Sequence, residues 1–196
     1  MTDRRTRKKD LTATTIIDTA MEMFDAHGFD QVTMEAIAQR ADVAKATLYR
    51  YFPTKEAIVV GHFQRLSRAH QPLVEKLIAT LPDTRQRLLA LYRGTAQWFV
   101  EHQHYLRPYM AHRLSMPPER MLDDDQRSGF HLNVATLLEA GQRQGDLRDD
   151  VGIADLLRAL DGMYMAQVMS WLYGGGDLPA RMDILVTLFM DGARKS

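Results

Sequence analysis

This 196-residue chain lacks several features, and each absence narrows the chemistry open to it. It contains no cysteine, which excludes disulfide bonds, thiolate metal sites and redox sensing by thiols. Its longest apolar runs are far shorter than the ~20 residues of a membrane-spanning helix. The basic N-terminus is not followed by an apolar segment, so we expect no secretory signal, no membrane partner and a cytoplasmic location. No stretch alternates apolar and polar residues for long enough to form a strand, which predicts an all-α fold.

The sequence motifs of common enzymes are also absent. The chain has no Gly-x-Ser-x-Gly turn, no phosphate-binding glycine loop and no His-Glu-x-x-His. Glu101 and His104 have the Glu-x-x-His spacing of di-iron helical bundles, but such a site needs a second copy, which is missing. One alternative stays open, a helical metal-binding protein or enzyme that uses His102, His104 and His112. Histidines near helix ends are usually solvated, so we expect no metal site. We also expect no catalytic residue and no cofactor.

The segment from Thr33 to Lys55 contains two short helical patterns joined by a tight turn. Apolar residues of the first pattern recur at the i, i+3, i+4 and i+7 spacing of one helix face, namely Met34, Ile37, Ala38 and Ala41. Thr33 can cap this helix, and Asp42 stands where the chain must turn. The second pattern runs over residues 44–51 and ends before Pro53, which cannot continue the hydrogen-bond ladder. This arrangement is typical of a helix-turn-helix, although an ordinary helical hairpin has the same spacing.

The second helix of this pair is predicted to show a basic and aromatic face to solvent. Its inward residues are Val43, Leu48 and Phe52, and its outward residues are Lys45, Ala46, Tyr49 and Arg50. A helix that presents cations and an aromatic ring is suited to the major groove of DNA, where arginine pairs well with guanine. The sequence therefore points to DNA recognition by this helix.

Charge is unevenly distributed along the chain, although the formal net charge is zero. Bases dominate an N-terminal basic arm, which consists of Arg4, Arg5, Arg7, Lys8 and Lys9. Further bases lie in or beside the helix-turn-helix, whereas acids gather at 123–125 and 149–150. A local basic patch attracts phosphates without causing non-specific electrostatic binding by the whole protein. The arm could equally be a disordered, solubilising tail.

Residues 11–61 resemble the DNA-binding domain of the tetracycline-repressor (TetR) family. The residues that carry this resemblance are Phe24, His27-Gly28-Phe29, Val32-Thr33-Met34, Ile37-Ala38, Val43, Thr47-Leu48-Tyr49, Tyr51-Phe52 and Lys55-Glu56. The rest of the chain resembles the family in architecture, with a weaker echo in residues 145–148, Gly-Asp-Leu-Arg. Two positions depart from the family pattern. Asp42 replaces the usual glycine, and Ala44 cannot supply the capping oxygen of the usual serine or threonine.

The resemblance implies a dimeric transcriptional regulator, most often a repressor, that responds to a ligand. We expect an N-terminal arm and three-helix helix-turn-helix domain over residues 1–55, and a larger helical effector-binding and dimerisation domain over residues 56–196. The expected partners are a double-stranded DNA operator, a small-molecule effector and a second copy of the chain. The residues expected to contact bases or phosphates are Thr33, Lys45, Ala46, Thr47, Tyr49, Arg50, Tyr51 and Lys55.

Two C-terminal segments, residues 152–173 and 178–193, carry more apolar residues than one neighbouring helix needs. In the family that the chain resembles, two such helices from each copy commonly pack as a four-helix interface. The resemblance therefore implies that role here, while the alternative is that both helices only complete the core of one chain. The residues expected in the interface are Leu160, Tyr164, Val168, Trp171, Met182, Leu185, Val186 and Phe189.

By the same resemblance, the middle helices are expected to hold the effector. These helices carry many aromatic and methionine side chains, and no cluster of ionisable groups lies among them. This composition favours a mainly apolar effector. Any single one of these residues could instead belong to the core. Polar contacts to the effector are expected from Tyr92, Tyr105, His112 or Gln167, since a buried polar group must be paired. The residues expected to line the site are Trp98, Phe99, Tyr105, Met110, Phe130, Met163 and Tyr164.

Overall fold

A computed structural model of the chain describes residues 2–117, 119 and 127–193. These residues form ten α-helices and no β-strand, so the all-α prediction is confirmed. The helices are α1 (Thr2–His27), α2 (Met34–Arg40), α3 (Lys45–Tyr51), α4 (Lys55–Ala69), α5 (Gln71–Thr80), α6 (Thr84–Glu101), α7 (Gln103–Ser115), α8 (Phe130–Gln144), α9 (Ile153–Gly174) and α10 (Leu178–Ala193). None of these helices has both the length and the apolar character needed to cross a bilayer. The acidic run at 123–125 lies outside the described residues, as do the side chains of Arg4, Arg5 and Lys8.

The helices divide into two compact units, and the division differs from the boundary expected at Lys55. Among the described residues, the first unit comprises those within 1–65 and 104–128, and the second comprises those within 66–103 and 129–196. Lys55 is the first residue of α4, and Ile58 and Val59 in the next turn are fully buried. The start of α4 therefore belongs to the core of the first unit. The sequence could not show this, because an apolar stripe does not reveal which neighbour covers it.

The first unit contains aromatic contacts both between neighbouring segments and between helices that are far apart in sequence. In its N-terminal part, α1 packs on α2 and α2 packs on α3. The rings of Phe24 and Phe29 lie 4.8 Å apart where α1 ends and the chain turns towards α2. The edge of Tyr109 on α7 meets the ring of Phe63 on α4 at 4.7 Å between centroids. Helix α7 thereby completes the unit that holds the helix-turn-helix.

The second unit packs α6 against α10, α8 and α5, while α9 lies against α8 and α10. The segment Gly145–Arg148, which weakly echoes the TetR family, connects these helices. Asp146 accepts hydrogen bonds from the backbone N–H of Thr84 (2.6 Å) and from its hydroxyl (3.0 Å), at the first residue of α6. The backbone N–H of Arg148 donates to the carbonyl of Ala193 at the end of α10 (2.9 Å). Residues 145–148 therefore have a structural role, since they connect the end of α8 with the start of α6 and the end of α10.

Candidate DNA interface and effector region

Helix α2 begins as the sequence predicts. The Thr33 hydroxyl accepts a hydrogen bond from the backbone N–H of Ala36 (3.1 Å), which satisfies one of the unpaired donors at the helix start. Met34, Ile37 and Ala38 are buried. The stripe of α2 thus faces the core, while Glu35 in its first turn is exposed.

The turn between α2 and α3 contains both positions where the chain departs from the TetR pattern. Asp42 adopts a φ of 51°, in the left-handed region that favours glycine and that aspartate tolerates better than most residues. The backbone N–H of Val43 donates to the carbonyl of Ala38 (3.0 Å) and closes the turn. Ala44 occupies the N-cap position of α3 and makes no side-chain capping bond. The turn geometry needed for a helix-turn-helix is therefore formed without glycine and without a hydroxyl cap.

Helix α3 has the two faces that its sequence predicts. Leu48 is fully buried, whereas four residues are exposed, namely Lys45, Ala46, Tyr49 and Arg50. Thr47 and Tyr51 are half-buried beside them. The guanidinium of Arg50 lies 5.9 Å from the centre of the Tyr51 ring, within the range of a cation–π contact. These side chains share one accessible surface, and their contacts with DNA stay a prediction.

Glu35 joins this surface, and sequence reasoning did not select it. Its Oε1 accepts a hydrogen bond from the Tyr49 hydroxyl (3.3 Å) and lies 3.9 Å from the Lys45 ammonium. Desolvation, the negative charge of Glu35 and this hydrogen bond together raise the pKa of Tyr49, so the phenol remains protonated at neutral pH. No sequence spacing relates Glu35 to Tyr49, because their contact depends on how α2 crosses α3.

Lys55 occupies a more internal position than a simple phosphate ligand would. Its ammonium donates to the carbonyl of Phe29 (2.7 Å) and lies 4.5 Å from the centre of the Phe29 ring. The side chain therefore ties the start of α4 to the segment between α1 and α2. The phosphate contact expected of Lys55 stays a prediction, and a structural role is added to it. A phosphate contact by Thr33 likewise stays a prediction.

The residues expected to line the effector site are divided between the two units. Tyr105 and Met110 belong to the first unit, where both are buried and Tyr105 lies 6.4 Å from the ring of Phe63. The remaining five belong to the second unit, and they are Trp98, Phe99, Phe130, Met163 and Tyr164. Tyr105 and Met110 are thus part of the core around α4 and α7, and contact of either residue with an effector stays a prediction.

An aromatic cluster in the second unit, Tyr92, Phe99, Phe130 and Tyr164, contains three of those five residues. Ring centroids are 5.4 Å apart for Tyr92 and Phe130, 5.2 Å for Tyr92 and Tyr164, and 5.3 Å for Phe130 and Tyr164. Phe99 approaches Tyr164 at 6.4 Å. Two rings of the cluster, Phe130 and Tyr164, are only half-buried, as is Met163, which precedes Tyr164 in the sequence. An apolar ligand could therefore reach aromatic surface here, on helices α6, α8 and α9.

The Tyr92 hydroxyl is an unusual group within this cluster. Tyr92 is fully buried, and its hydroxyl oxygen has no hydrogen-bond partner among the described residues. Burial, followed by the nearby Tyr164 and Asp161, raises its pKa well above the ordinary value, so the group stays a neutral donor. A buried polar group without a partner costs free energy, which a water molecule or a ligand would recover.

The three histidines of the alternative reading are held by different neighbours. His102 stacks on Trp98 (4.2 Å between centroids) in the second unit, and its Nδ1 lies 2.8 Å from the Trp98 carbonyl. In the first unit, His104 Nε2 lies 2.8 Å from Asp25 Oδ1. His112 is half-buried further along α7. Across the part of the chain that the structure describes, no three His, Cys, Asp or Glu side chains are grouped to hold a metal ion.

The residues expected in the dimer interface lie mostly in the core of a single chain. Seven of the eight are buried, namely Leu160, Val168, Trp171, Met182, Leu185, Val186 and Phe189, and Tyr164 belongs to the aromatic cluster. These seven side chains already pack within one chain, whereas Tyr164 is half-buried, and contact of any of the eight with a second copy stays a prediction. Other apolar side chains on α10 are exposed, among them Ile184 (56%) and Leu188 (60%).

Comparison with known proteins assigns both parts of the chain. Residues 16–60 match the family described as bacterial regulatory proteins, tetR family, and residues 90–195 match the SbtR-like C-terminal domain of transcriptional regulators. The probable acrEF/envCD operon repressor of Escherichia coli K12 is 25% identical over 202 residues, with 95% of this chain and 91% of that protein covered. The putative mycofactocin biosynthesis transcriptional regulator MftR of Mycobacterium tuberculosis is 38% identical over 104 residues, which cover 52% of each.

A solved structure agrees with the whole fold. The FadR repressor of Thermus thermophilus, crystallised in complex with lauroyl-CoA, superposes with a TM-score of 0.83 at 26% identity. The match covers 94% of this chain and 97% of that one. The similarity therefore extends over both units and is not limited to the helix-turn-helix.

Proposed function

This chain belongs to the tetR family of bacterial regulatory proteins, and we propose that it acts as a homodimer on an inverted-repeat operator. Its family and its relatives make it a DNA-binding transcriptional repressor that responds to a small molecule. The role that we assign is regulation of transcription, and not catalysis. Two further parts of the proposal concern the surface that joins the two copies and the chemical class of the effector.

The exposed face of α3 is the observation that carries the DNA-binding part of the proposal. Arg50 and Lys45 would donate to guanine in the major groove, and Tyr49 would contact a neighbouring base edge. Ala46 and the methyl group of Thr47 would meet thymine methyl groups. The side chains that would contact phosphates are Thr33, Thr47, Tyr51 and Lys55.

A single α3 is too short to select one site in a genome. With seven residues from Lys45 to Tyr51, it can reach only a few base pairs. Two copies related by a two-fold axis read two half-sites about one helical turn, ~34 Å, apart. We therefore place residues 1–55 in operator binding, and the remaining helices in effector binding and dimerisation.

The outer faces of α9 and α10 are our proposed contact between the two copies. Ile184 and Leu188 lie one turn apart on the exposed side of α10. Gly162, Ala166 and Ser170 are exposed and lie one turn apart on α9, where their small side chains would let another helix approach closely. Exposed apolar side chains grouped on a helix face are suited to an interface. Burial of this patch between two copies would keep the two α3 helices at a fixed spacing.

An acyl chain with a hydrogen-bonding group is our proposed effector class. The T. thermophilus FadR relative is described in complex with lauroyl-CoA, whose dodecanoyl chain is apolar and whose thioester carbonyl is an acceptor. The aromatic cluster of this chain offers apolar surface of the matching kind. The Tyr92 hydroxyl would donate to the carbonyl and so gain the partner that it lacks among the described residues.

Release of DNA would follow from a population shift. An effector that binds better to one spacing of the two α3 helices lowers the affinity for DNA by the same factor by which DNA lowers the affinity for the effector. The experiment is to select genomic fragments with the purified protein and then add lauroyl-CoA. We expect an enriched inverted repeat and its release by lauroyl-CoA, but not by coenzyme A alone. Enrichment of no palindromic fragment would contradict the operator proposal, and retention of the fragment at saturating lauroyl-CoA would contradict the effector class.

A further inference from the structure

Glu35 is an acidic residue within the proposed DNA-reading surface, where most side chains are basic, aromatic or small. We propose that Glu35 is a specificity-determining residue, which weakens binding to DNA without the operator sequence more than it weakens binding to the operator. This inference rests on the proposed role of α3. It assigns a function to a side chain that lies on α2 and that no sequence motif indicates.

The geometry places the Glu35 carboxylate between two DNA-reading side chains. Lys45 and Tyr49 are one turn apart on α3, and both lean towards the same oxygen, Oε1, at 3.9 Å and 3.3 Å. The side chains of Glu35 and Lys45 are 50% and 66% exposed, so the pair lies at the surface that a duplex would approach. Glu35 is thus close enough to act on both residues while DNA is bound.

Non-specific binding should be affected most by this carboxylate. Affinity for a random duplex comes almost entirely from cations that neutralise phosphates and release counterions. A lysine that is paired with a carboxylate contributes less to this term, and the carboxylate itself is repelled by nearby phosphates. The carboxylate therefore makes the binding free energy of every duplex that approaches α3 less favourable, whatever its sequence.

Operator DNA can offset the cost, because it makes contacts that a random duplex cannot make. The hydrogen bond from Tyr49 to Glu35 limits the positions of the phenol ring before DNA arrives, which favours one set of base contacts. A glutamate oxygen also accepts from the amino group of cytosine in the major groove. A repulsive element that only the correct partner compensates raises specificity without raising affinity.

A structural role for Glu35 would have a different signature. Glu35 lies in the first turn of α2, where a negative charge stabilises the helix dipole. If stabilisation of the helix were its only function, loss of the charge would lower thermal stability and change the affinity for all duplexes by one factor. The ratio between operator and random DNA distinguishes the two roles.

The test compares Glu35→Gln with a matched control, Glu22→Gln. Glutamine keeps an acceptor for Tyr49 and removes only the charge. Glu22 lies on α1, 4.0 Å from Arg40, so the control removes the same charge from a different helix of the same unit. Two probes are used, the duplex enriched from a random-sequence library by the unmodified protein and a shuffled duplex of equal composition. Dissociation constants are measured for each over a range of salt concentrations.

For Glu35→Gln we expect affinity for the shuffled duplex to rise about threefold to tenfold at low salt, with a salt slope steeper by about 0.9, one additional phosphate contact. Affinity for the enriched duplex should change by less than about twofold, so the specificity ratio falls. Glu22→Gln should leave the ratio unchanged. When Lys45→Met is also present, Glu35→Gln should lose most of its effect on the slope, because the two side chains act as a pair.

An equal change for both duplexes, an unchanged salt slope, or the same fall in ratio for Glu22→Gln would overturn this inference. The outcome for the proposed function is separate. If the unmodified protein enriches no duplex at all, the role of α3 itself is wrong, and the inference about Glu35 is wrong with it.

Discussion

A side chain on Gly141 would collide with Thr84, since a Cβ at position 141 would lie 2.2 Å from the Thr84 hydroxyl oxygen. The same Cβ would lie 2.8 Å from Leu147 Cδ1. The hydroxyl is not free to turn away, because it donates to Asp146 (3.0 Å). Helices α6 and α8 therefore approach closely at a point where only glycine leaves enough room.

We predict that Gly141→Ala lowers the free energy of unfolding by about 1–3 kcal/mol, the usual cost of overpacking. The control is Gly94→Ala on α6, where an added Cβ meets nothing within 4 Å. Because alanine is the better helix former, Gly94→Ala should raise stability by about 0.5–1 kcal/mol. Urea denaturation followed by circular dichroism measures both. A Gly141→Ala protein as stable as the unmodified one would contradict the packing described for α6 and α8.

Arg50→Ala should weaken binding to the enriched duplex by about 1–3 kcal/mol and relax selectivity at one base-pair position. Loss of a guanidinium that donates to a base edge lowers the affinity and also the preference for one base pair at that position. Arg143→Ala removes the same charge from α8, where the side chain is 69% exposed, and should change neither quantity. Fluorescence anisotropy against single-base variants of the duplex provides the measurement. The assignment of Arg50 fails if both variants lose affinity equally for every sequence.

The double change Ile184→Asp with Leu188→Asp should convert the protein into folded monomers. Both side chains are exposed on α10, so charge at these positions should leave the core of one chain intact while preventing its burial against a second copy. Leu132→Asp is the matched control, because Leu132 is equally exposed (55%) but lies on α8. Sedimentation velocity at micromolar concentration separates the outcomes. An unmodified protein that sediments as a monomer would refute the dimer, and a dimeric double variant would refute this interface.

Tyr92→Phe should weaken lauroyl-CoA binding by about threefold to tenfold, the effect of one hydrogen bond of 0.5–1.5 kcal/mol. Since the hydroxyl has no partner among the described residues, the variant should be at least as stable as the unmodified protein. Tyr109→Phe is the contrasting control, because the Tyr109 hydroxyl forms a hydrogen bond with Ser128. It should lower the melting temperature and leave lauroyl-CoA affinity unchanged. Calorimetry that finds the same affinity for Tyr92→Phe would exclude the proposed donor.

The sequence was most informative where structure depends on neighbouring residues. The Thr33 cap, the end of α3 before Pro53 and the inward position of Leu48 all follow from contacts within a few residues. Asp42 shows how far this reasoning extends. Its position identified a turn, and the structure adds that aspartate itself adopts the left-handed conformation that glycine usually provides.

Contacts between distant segments were not predictable in the same way. The apolar stripes of α9 and α10 were correctly identified, but periodicity does not tell whether Val186 meets its own chain or another copy. The structure shows that Val186 is buried in its own chain, while Ile184, two positions earlier, is exposed. Tyr105 and Glu35 are comparable cases. Their neighbours Phe63 and Tyr49 are set by helix packing, which a single sequence does not specify.

The central claim, that two α3 helices at a fixed spacing read an inverted repeat, is tested most directly by altering the repeat. Affinity is measured for the enriched duplex, for the same duplex with one half-site shuffled, and for one with about five base pairs, half a helical turn, inserted between the half-sites. We predict that both altered duplexes bind at least about 100-fold more weakly, because only one copy of α3 can engage its half-site at a time. Equal affinity for all three duplexes would contradict the claim.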